Sequence, residues 1–230
     1  MTYFKLTPHI DTFRQELQNT ATALNLPLSG EQIESLLRYL DSLLMWNKAY
    51  NLTAIKSPKD ALIKHIFDCL AIVPSLPFAD KSGIHLLDIG TGAGLPSVII
   101  AICRPDWQVT ALDSNSKKIR FIRQIKSDLG LSNLSPTACR IEEHHSDHCG
   151  AYDVITSRAF ASLGDFVALA SPCLKADGML YAMKGKDPSP EECSELDTWQ
   201  IRTQAVNVPQ LDDSRCVVYL SKQIILNKKG

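Results

Sequence analysis

The 230-residue chain contains no apolar run of the ~18 residues that a membrane-spanning helix requires, because Pro, Asp or Ser interrupts each run earlier. Its first ten residues also lack the apolar stretch and small-residue cleavage site of a secretory signal. The seven cysteines form an odd, scattered set without a C-x-x-C pair, which is typical of a reducing compartment rather than a disulfide framework. We therefore expect a soluble, cytoplasmic protein.

Charge and catalytic motifs exclude further classes. Lys plus Arg (24) nearly cancels Asp plus Glu (25), so the net charge of -1 excludes a globally basic nucleic-acid binder, although it allows one basic face. The sequence has neither a G-x-S-x-G nucleophile elbow nor a P-loop, and hydrolase and ATPase functions therefore have no support.

The chain divides into a helical part and an alternating part. Apolar residues at three-to-four spacing predict helices from residue 11 to about 76, with Ser29 and Ser57 as N-caps and Pro58 in the first turn of the third helix. A polar segment with prolines then ends near residue 83. We predict an N-terminal helical extension at 1–76 that packs on a main domain at 77–230.

Short β-branched runs in the main domain predict seven strands, at 84–89, 108–112, 137–141, 152–157, 179–183, 203–208 and 216–222. Helical stretches separate the first five, which predicts an α/β fold with a parallel sheet covered on both faces. No long helix separates the last two, so we expect them to form an antiparallel hairpin at the sheet edge.

A glycine loop follows the first predicted strand and leads into an apolar helix. Its acidic residue is Asp88, and Gly90, Gly92 and Gly94 follow at alternate positions. Glycines let the backbone turn sharply and approach a ligand, and the helix N-terminus adds free amides. The pattern D-x-G-x-G-x-G departs from the dinucleotide fingerprint and resembles motif I of the Rossmann-like class I methyltransferases that use S-adenosylmethionine. The alternative is a tight turn that binds no ligand.

An acidic residue at the end of the second predicted strand strengthens the case for this cofactor. Asp113 stands where a carboxylate can accept hydrogen bonds from both ribose hydroxyls of an adenosine. Its alternative role is to cap the following helix. Loop, strand and acid together predict S-adenosyl-L-methionine as the cofactor.

The helix after Asp113 carries cations with no acid among them. Lys117, Arg120, Arg123 and Lys126 spread over the side opposite its apolar face. The absence of interleaved Asp or Glu favours contact with RNA phosphates, and the alternative is an ordinary solvated helix surface.

Other polar residues are expected at the carboxyl edge of the sheet. Glu142 and Arg158 follow the third and fourth predicted strands and can touch cofactor or substrate, although Arg158 can also form a surface ion pair. The segment 144–149 contains His and Cys residues, but no second ligand pair exists, so we expect a solvated loop and no metal.

The whole set of motifs resembles the small-subunit ribosomal RNA guanine-N7 methyltransferases of the G type, the glucose-inhibited division protein B family. The matching segments span nearly the whole chain: Trp46-Asn47, Asn51-Leu52-Thr53, His65-Ile66-Phe67-Asp68, Asp88 to Pro96, Leu112-Asp113-Ser114 with Lys117-Lys118, Arg140 to Glu143, Ser157-Arg158-Ala159 and Lys184-Gly185. Ser97 stands where the family usually has Gly. We expect this replacement to leave the activity intact.

The resemblance implies methyl transfer from S-adenosylmethionine to N7 of one guanine in 16S rRNA, with the small ribosomal subunit as partner. By position, it implies that the cofactor contacts Gly90, Leu95, Ile141, Glu142 and Arg158. We expect a monomer that binds neither metal nor membrane.

The implied reaction needs little catalytic machinery. Guanine N7 has a free lone pair in the neutral base, so no general base is required, and orientation can supply on the order of 7–11 kcal/mol. The candidate catalytic residues that shape the pocket are Asn51, His65, Asp68 and Lys184. The alternatives are a methyltransferase of protein or small molecules, and an RNA-binding module without turnover.

Overall fold

A seven-stranded sheet runs through the computed structural model, which describes residues 3–158, 160 and 162–223. The strands are β1 (His85–Ile89), β2 (Gln108–Leu112), β3 (Leu134–Thr137), β4 (Tyr152–Ser157), β5 (Leu174–Lys184), β6 (Trp199–Ala205) and β7 (Cys216–Lys222). Their order is β3-β2-β1-β4-β5-β7-β6.

Helices precede the sheet and cover its faces. They are α1 (Ile10–Ala23), α2 (Gly30–Tyr50), α3 (Pro58–Ala61), α4 (Asp68–Ile72), α5 (Ser97–Cys103), α6 (Ser116–Leu129), α7 (Ile141–His144), α8 (Leu163–Ala170) and α9 (Pro190–Ser194). A π-helical turn (Leu62–Phe67) joins α3 to α4, and 3-10 turns follow α4 (Val73–Ser75) and α8 (Ser171–Cys173).

The strand order creates a crevice at one edge of the sheet. Strands β1 to β5 are parallel, and β7 pairs antiparallel with both β5 and β6. From β1 the chain moves outward through β2 to β3 and then returns to β4 on the other side of β1. Ligands of open α/β sheets bind at the carboxyl ends of the strands beside such a reversal. The predicted fold class, including the antiparallel edge hairpin, is confirmed.

Two predicted strands lie elsewhere in the chain. The third strand is Leu134–Thr137 rather than 137–141, because buried Leu134 pairs with Val109 of β2 while Ile141 begins α7. The sixth is Trp199–Ala205 rather than 203–208. Most residues of this edge strand are exposed, so its sequence has little apolar pattern to mark its ends. The fifth strand also begins earlier than predicted, at Leu174.

The N-terminal helices begin where the sequence predicts. Ser29 accepts a hydrogen bond from the Gln32 amide at 3.2 Å, and the Gln32 side chain accepts one from the Ser29 amide at 2.8 Å. Ser57 caps α3, with Pro58 in its first turn. The Tyr39 hydroxyl of α2 donates to the Ala93 carbonyl at 2.9 Å, so α2 contacts the glycine loop directly.

Within the described ranges, no helix is both long enough and apolar enough to cross a membrane. All seven cysteines carry free thiols; Cys69, Cys103, Cys173 and Cys216 are buried.

Candidate active site

The glycine loop between β1 and α5 needs its glycines for two different reasons. Gly90, Gly92 and Gly94 all have positive φ values, of 70°, 62° and 94°. A Cβ on Gly94 would lie 2.5 Å from Cγ2 of Val98, so this position must be small for α5 to pack. A Cβ on Gly92 would meet no atom within 4 Å, and the space beside Gly92 is therefore open.

Asp88 lies beneath this loop and is fully buried. Its Oδ2 accepts a hydrogen bond from the Ser97 amide at 3.1 Å, and Oδ1 has no partner in the described part of the chain. Burial raises the pKa of Asp88 to about 6, against the lowering effect of hydrogen bonds from Thr91 and Ser97. Ser97 also makes a 2.6 Å hydroxyl contact with Thr91, so the serine that replaces the family's Gly fits the loop.

A cleft of about 310 Å³ opens beside the loop at the carboxyl ends of β1 and β2. It is lined by Ile89, Gly90, Leu112, Asp113, Ser114, Lys118, Cys139, Arg140, Ile141 and Glu142. The cleft thus brings together four residues predicted for the cofactor: Gly90, Asp113, Ile141 and Glu142. Gly92, Gly94 and Leu95 lie in the loop next to it, whereas Asp88 lies in β1 beneath that loop and does not line the cleft.

Asp113 connects the loop to the cleft. Its Oδ2 accepts from the Gly92 amide at 2.9 Å, and its Oδ1 accepts from the Asn115 amide at 2.8 Å. Lys118 Nζ lies 3.6 Å from Oδ2. Asn115, and not Asp113, caps α6, since the Asn115 side chain accepts from the Lys117 amide at 3.0 Å.

The residues of this cleft fit S-adenosylmethionine. Asp113 and Glu142 supply carboxylate acceptors for hydroxyl groups, and Ile89 and Ile141 supply apolar walls for a flat base. The open space beside Gly92 allows a ligand to approach the backbone.

A second cavity, of about 410 Å³, lies toward β5 and β7 at the same edge of the sheet. It is lined by Ile55, Lys64, His65, Asp68, Ile72, Arg158, Met183, Lys184, Gly185, Val206, Arg215 and Cys216. Three predicted catalytic residues, His65, Asp68 and Lys184, therefore meet in one cavity. Arg158, expected at the cofactor, also lies there.

Asp68 is the charged centre of this cavity. It is 4% exposed and has a guanidinium group on each side. Arg215 Nε lies 2.9 Å from Oδ1, and an Arg158 terminal nitrogen lies 3.6 Å from Oδ2. From the sequence, the alternative role of Arg158 is a surface ion pair. Arg158 does form an ion pair, but its partner is the buried carboxylate of Asp68, and both residues line the cavity. Lys184 pairs with Glu192 at 2.7 Å.

His65 stands at the side of the cavity nearest the N-terminal helices. Its Nε2 is 2.8 Å from the Thr53 hydroxyl, and the Thr53 amide donates to Asn47 Oδ1 at 2.9 Å. Burial, aided by the charge of Arg158, lowers the pKa of His65 to about 4. The imidazole is therefore neutral at physiological pH.

Asn51 does not reach this cavity. It ends α2 in a left-handed conformation, with φ 49° and ψ 50°, and its side chain lines a different pocket with Lys48 and Lys56.

The basic helix is α6, and its cations differ in exposure. Lys117, Arg120 and Arg123 are exposed, whereas Lys126 is half-buried. The helix begins at Ser116, and its cation Lys118 lines the cleft together with Asp113.

The predicted solvated loop at 144–149 is wrong for His144. His144 is buried at the end of α7, its ring stacks on His148 with 3.8 Å between centroids, and its Nε2 is 2.8 Å from the Tyr152 hydroxyl. Burial lowers the pKa of His144 to about 4. Among the residues with described positions, no group of three or more His, Cys, Asp or Glu could hold a metal ion.

Arg215 is the site residue that sequence reasoning missed. It precedes β7 and reaches Asp68 across 147 positions of the chain. No motif or spacing in the polar segment around Arg215 indicates that its partner is Asp68. Thr53 lay within a matched family segment but received no role.

Comparisons with known proteins identify the family of the chain. A family model described as GidB, rRNA small subunit methyltransferase G, matches residues 32–218. The ribosomal RNA small subunit methyltransferase G of Psychrobacter cryohalolentis is 58% identical over 220 residues, covering 95% of this chain and 89% of that protein. The protein of the same name from Acinetobacter baumannii (strain SDF) is 46% identical over 212 residues, covering 91% and 98%.

Solved structures support the fold. An S-adenosyl-L-methionine-dependent methyltransferase from Methanococcus maripaludis superposes with a TM-score of 0.55 at 15% identity, covering 81% of this chain and 94% of that chain. A SAM-dependent methyltransferase from Aquifex aeolicus gives a TM-score of 0.51 at 17% identity, covering 74% and 96%. The predicted resemblance is confirmed: the chain belongs to the rRNA small subunit methyltransferase G family, GidB, and is a methyltransferase.

Proposed function

We propose that the protein transfers the methyl group of S-adenosylmethionine to N7 of one guanine in the 16S rRNA of the small ribosomal subunit. Membership of its family supports methyl transfer to this RNA. The observation that carries the proposal is the pair of pockets at one edge of the sheet. One follows β1, β2 and β3, and the other follows β4 and β5, so cofactor and base can lie side by side.

The cleft after β1 and β2 is the proposed cofactor site. Asp113 is already oriented by the Gly92 and Asn115 amides and keeps lone pairs for ribose hydroxyls. Gly90, Ile141 and Glu142 line the same cleft. When bound, the cofactor supplies a methyl group on a positively charged sulfur.

The cavity around Asp68 is the proposed guanine site. A neutral guanine N7 needs no proton removed, and a neutral His65 at this wall agrees with a reaction that requires no charged acid or base. The carboxylate of Asp68 can accept from the N–H groups of a guanine edge while Arg158 and Arg215 hold it in place. Lys184, at the end of β5, is paired with Glu192 and lines the same cavity, where its amine can also contact a nearby phosphate.

The surroundings of the two pockets complete the proposal. Lys117, Arg120, Arg123 and Lys126 of α6 contact rRNA phosphates beside the cofactor cleft. Residues 1–76 act as an extension that packs on the methyltransferase domain at 77–230, with α2 against α5 and α6. The enzyme works in the cytoplasm as a monomer without a resident metal.

The test is to incubate the protein with methyl-labelled cofactor and either small ribosomal subunits, free rRNA or a protein extract. We expect label in 16S rRNA and cleavage at a single guanine under conditions specific for N7-methylguanine. Label in protein or small molecules would contradict the substrate, and RNA binding without label would contradict turnover.

A variant pair tests the cofactor cleft by calorimetry. Asp113→Ala should bind S-adenosylmethionine much more weakly than the wild type. The matched control is Asp128→Ala, which removes an exposed carboxylate near the far end of α6. Equal binding by both variants would refute the cleft as the cofactor site.

A further inference from the structure

A third pocket, of about 440 Å³, lies at the C-terminal end of α2, and we name it the lysine pocket. Its lining residues are Lys5, Leu44, Asn47, Lys48, Asn51, Lys56 and Pro58. Three of the seven are lysines and none is an acid. The function proposed above assigns no role to it.

The lysine pocket shares a wall with the proposed guanine cavity. Ile55 lines the cavity, and its chain neighbour Lys56 lines the lysine pocket. Asn47 fixes this wall, since its side chain accepts from the Thr53 amide at 2.9 Å and donates to the Ile55 carbonyl at 3.4 Å. Thr53 in turn contacts His65 in the cavity. A strand whose base enters the cavity therefore passes within reach of the lysines.

Asp41 offsets the charge of Lys5 only in part, because the approach of Lys48 has the larger effect on the pKa of the Lys5 amine. Asp41 is 5% exposed and accepts hydrogen bonds from the amides of Phe4, Lys5 and Leu6. The side chain of Lys48 instead approaches Lys5 and lowers the pKa of the Lys5 amine, an effect that burial and charge repulsion reinforce. Two adjacent ammonium groups form a site for an anion.

The surface around the lysine pocket favours RNA as the source of that anion. Among the described residues, the large hydrophobic side chains that are exposed are Phe4, Met45 and Tyr50, and all three lie near α2. The Tyr50 ring stacks on Trp46 with 5.0 Å between centroids. Exposed aromatics next to cations are typical of surfaces that bind unpaired nucleotides.

The lysine pocket also lies at the same edge of the molecule as the basic start of α6. Trp46 packs against Phe121 with 5.6 Å between ring centroids, and Arg38 donates to the Asp128 carbonyl at 2.6 Å. The helices α2 and α6 are therefore antiparallel, and the end of α2 lies beside the beginning of α6. Lysines on both helices can follow one RNA strand.

We propose that Lys5, Lys48 and Lys56 bind a backbone phosphate of the rRNA strand whose guanine enters the cavity around Asp68. This inference rests on the proposed function, because it assumes that an RNA base occupies that cavity. Asn51 adds an amide donor and acceptor to the same pocket.

The test compares Lys48→Gln/Lys56→Gln with Lys222→Gln. Lys222 is exposed and is the last residue of β7. The strand begins at Cys216, beside the site, so Lys222 lies at the far edge of the sheet. The affinity of each protein for protein-free 16S rRNA is measured as a function of salt. We expect the slope of log affinity against log salt to fall by about 0.7 in magnitude for the double variant, since the proposed contact is to one phosphate and each single-strand phosphate contact contributes about 0.7. The control should keep the wild-type slope.

Two further measurements separate this inference from the proposed function. Calorimetry with S-adenosylmethionine checks that the double variant is folded and keeps its cofactor cleft. Methylation of small subunits should show a raised KM for the subunit in the double variant. If the double variant keeps the wild-type salt dependence of rRNA affinity, the inference is overturned. The proposed function is tested separately, and it stands if the wild-type protein methylates the small subunit. A raised KM with a wild-type slope on protein-free rRNA also overturns it, because the pocket then contacts a ribosomal protein.

Discussion

Replacing Gly92 and Gly94 by Ala, one at a time, distinguishes two roles in the glycine loop. Gly94 packs against α5, whereas Gly92 faces open space where a ligand can lie. Both residues have positive φ, so each Ala variant carries the left-handed penalty of roughly 1–2 kcal/mol. Only at Gly94 does the new methyl group collide, at 2.5 Å from Cγ2 of Val98. Val98 is fully buried, and its branched side chain is stiff, so it cannot turn away easily.

The magnitudes follow from this difference. Overpacking of a filled core adds about 1–3 kcal/mol, so Gly94→Ala should be destabilised by about 2–5 kcal/mol and Gly92→Ala by about 1–2 kcal/mol. In a domain of this size each kcal/mol lowers Tm by roughly 2–4 °C. The methyl group in Gly92→Ala instead enters the open space beside the loop, and we expect cofactor affinity to fall by roughly tenfold or more, about 1.4 kcal/mol.

Urea unfolding and calorimetry with S-adenosylmethionine measure the two effects on the same preparations. The reasoning predicts a stable Gly92→Ala protein that binds poorly and an unstable Gly94→Ala protein. Equal stability of the two variants would refute the packing argument. Wild-type affinity in Gly92→Ala would refute the assignment of the open space to the cofactor.

Arg215→Gln removes the 2.9 Å contact with buried Asp68 and should lower the free energy of unfolding by about 1.5–3 kcal/mol in urea titrations. The Arg215→Gln/Asp68→Asn double variant should regain part of this loss. An unchanged free energy of unfolding in the single variant would contradict the prediction. Burial raises the pKa of Asp88 from 3.8 to about 6, so its contribution to stability is fully present below pH 4 and is lost as the pH rises through 6. Asp88→Asn should therefore gain stability relative to the wild type between pH 4 and 6, and a constant difference in urea midpoints would count against it. Ser29→Ala removes the capping box of α2 and should cost about 1 kcal/mol of unfolding free energy, measured in the same way, with no change in cofactor binding.

Local features of this protein were predictable because neighbouring residues create them. The glycine loop, the Ser29 and Ser57 caps and the end of β2 just before Asp113 each depend on a few adjacent side chains. The alternation of helices and strands likewise required a parallel sheet with its functional edge at the strand ends. Local spacing was therefore sufficient to predict Gly90 and Asp113, which meet in one cleft.

Errors arose where the pattern was weak or where a polar segment has a distant partner. The exposed edge strand β6 has little apolar alternation, so its boundaries were misplaced. His144 lies in a polar sequence that suggests a solvated loop, yet stacking on His148 and a hydrogen bond to Tyr152 keep it buried.

The sequence by itself determined the fold class, the family and the glycine loop with its acidic partner, since local spacing and propensity encode them. Only the tertiary structure decided which polar residues share a cavity. It joined Arg215 to Asp68 through the antiparallel return of β7, and it placed Asn51 and Lys5 in the lysine pocket behind the wall that Asn47 holds. Such contacts depend on strand order and on helix packing between distant segments, which no local pattern records.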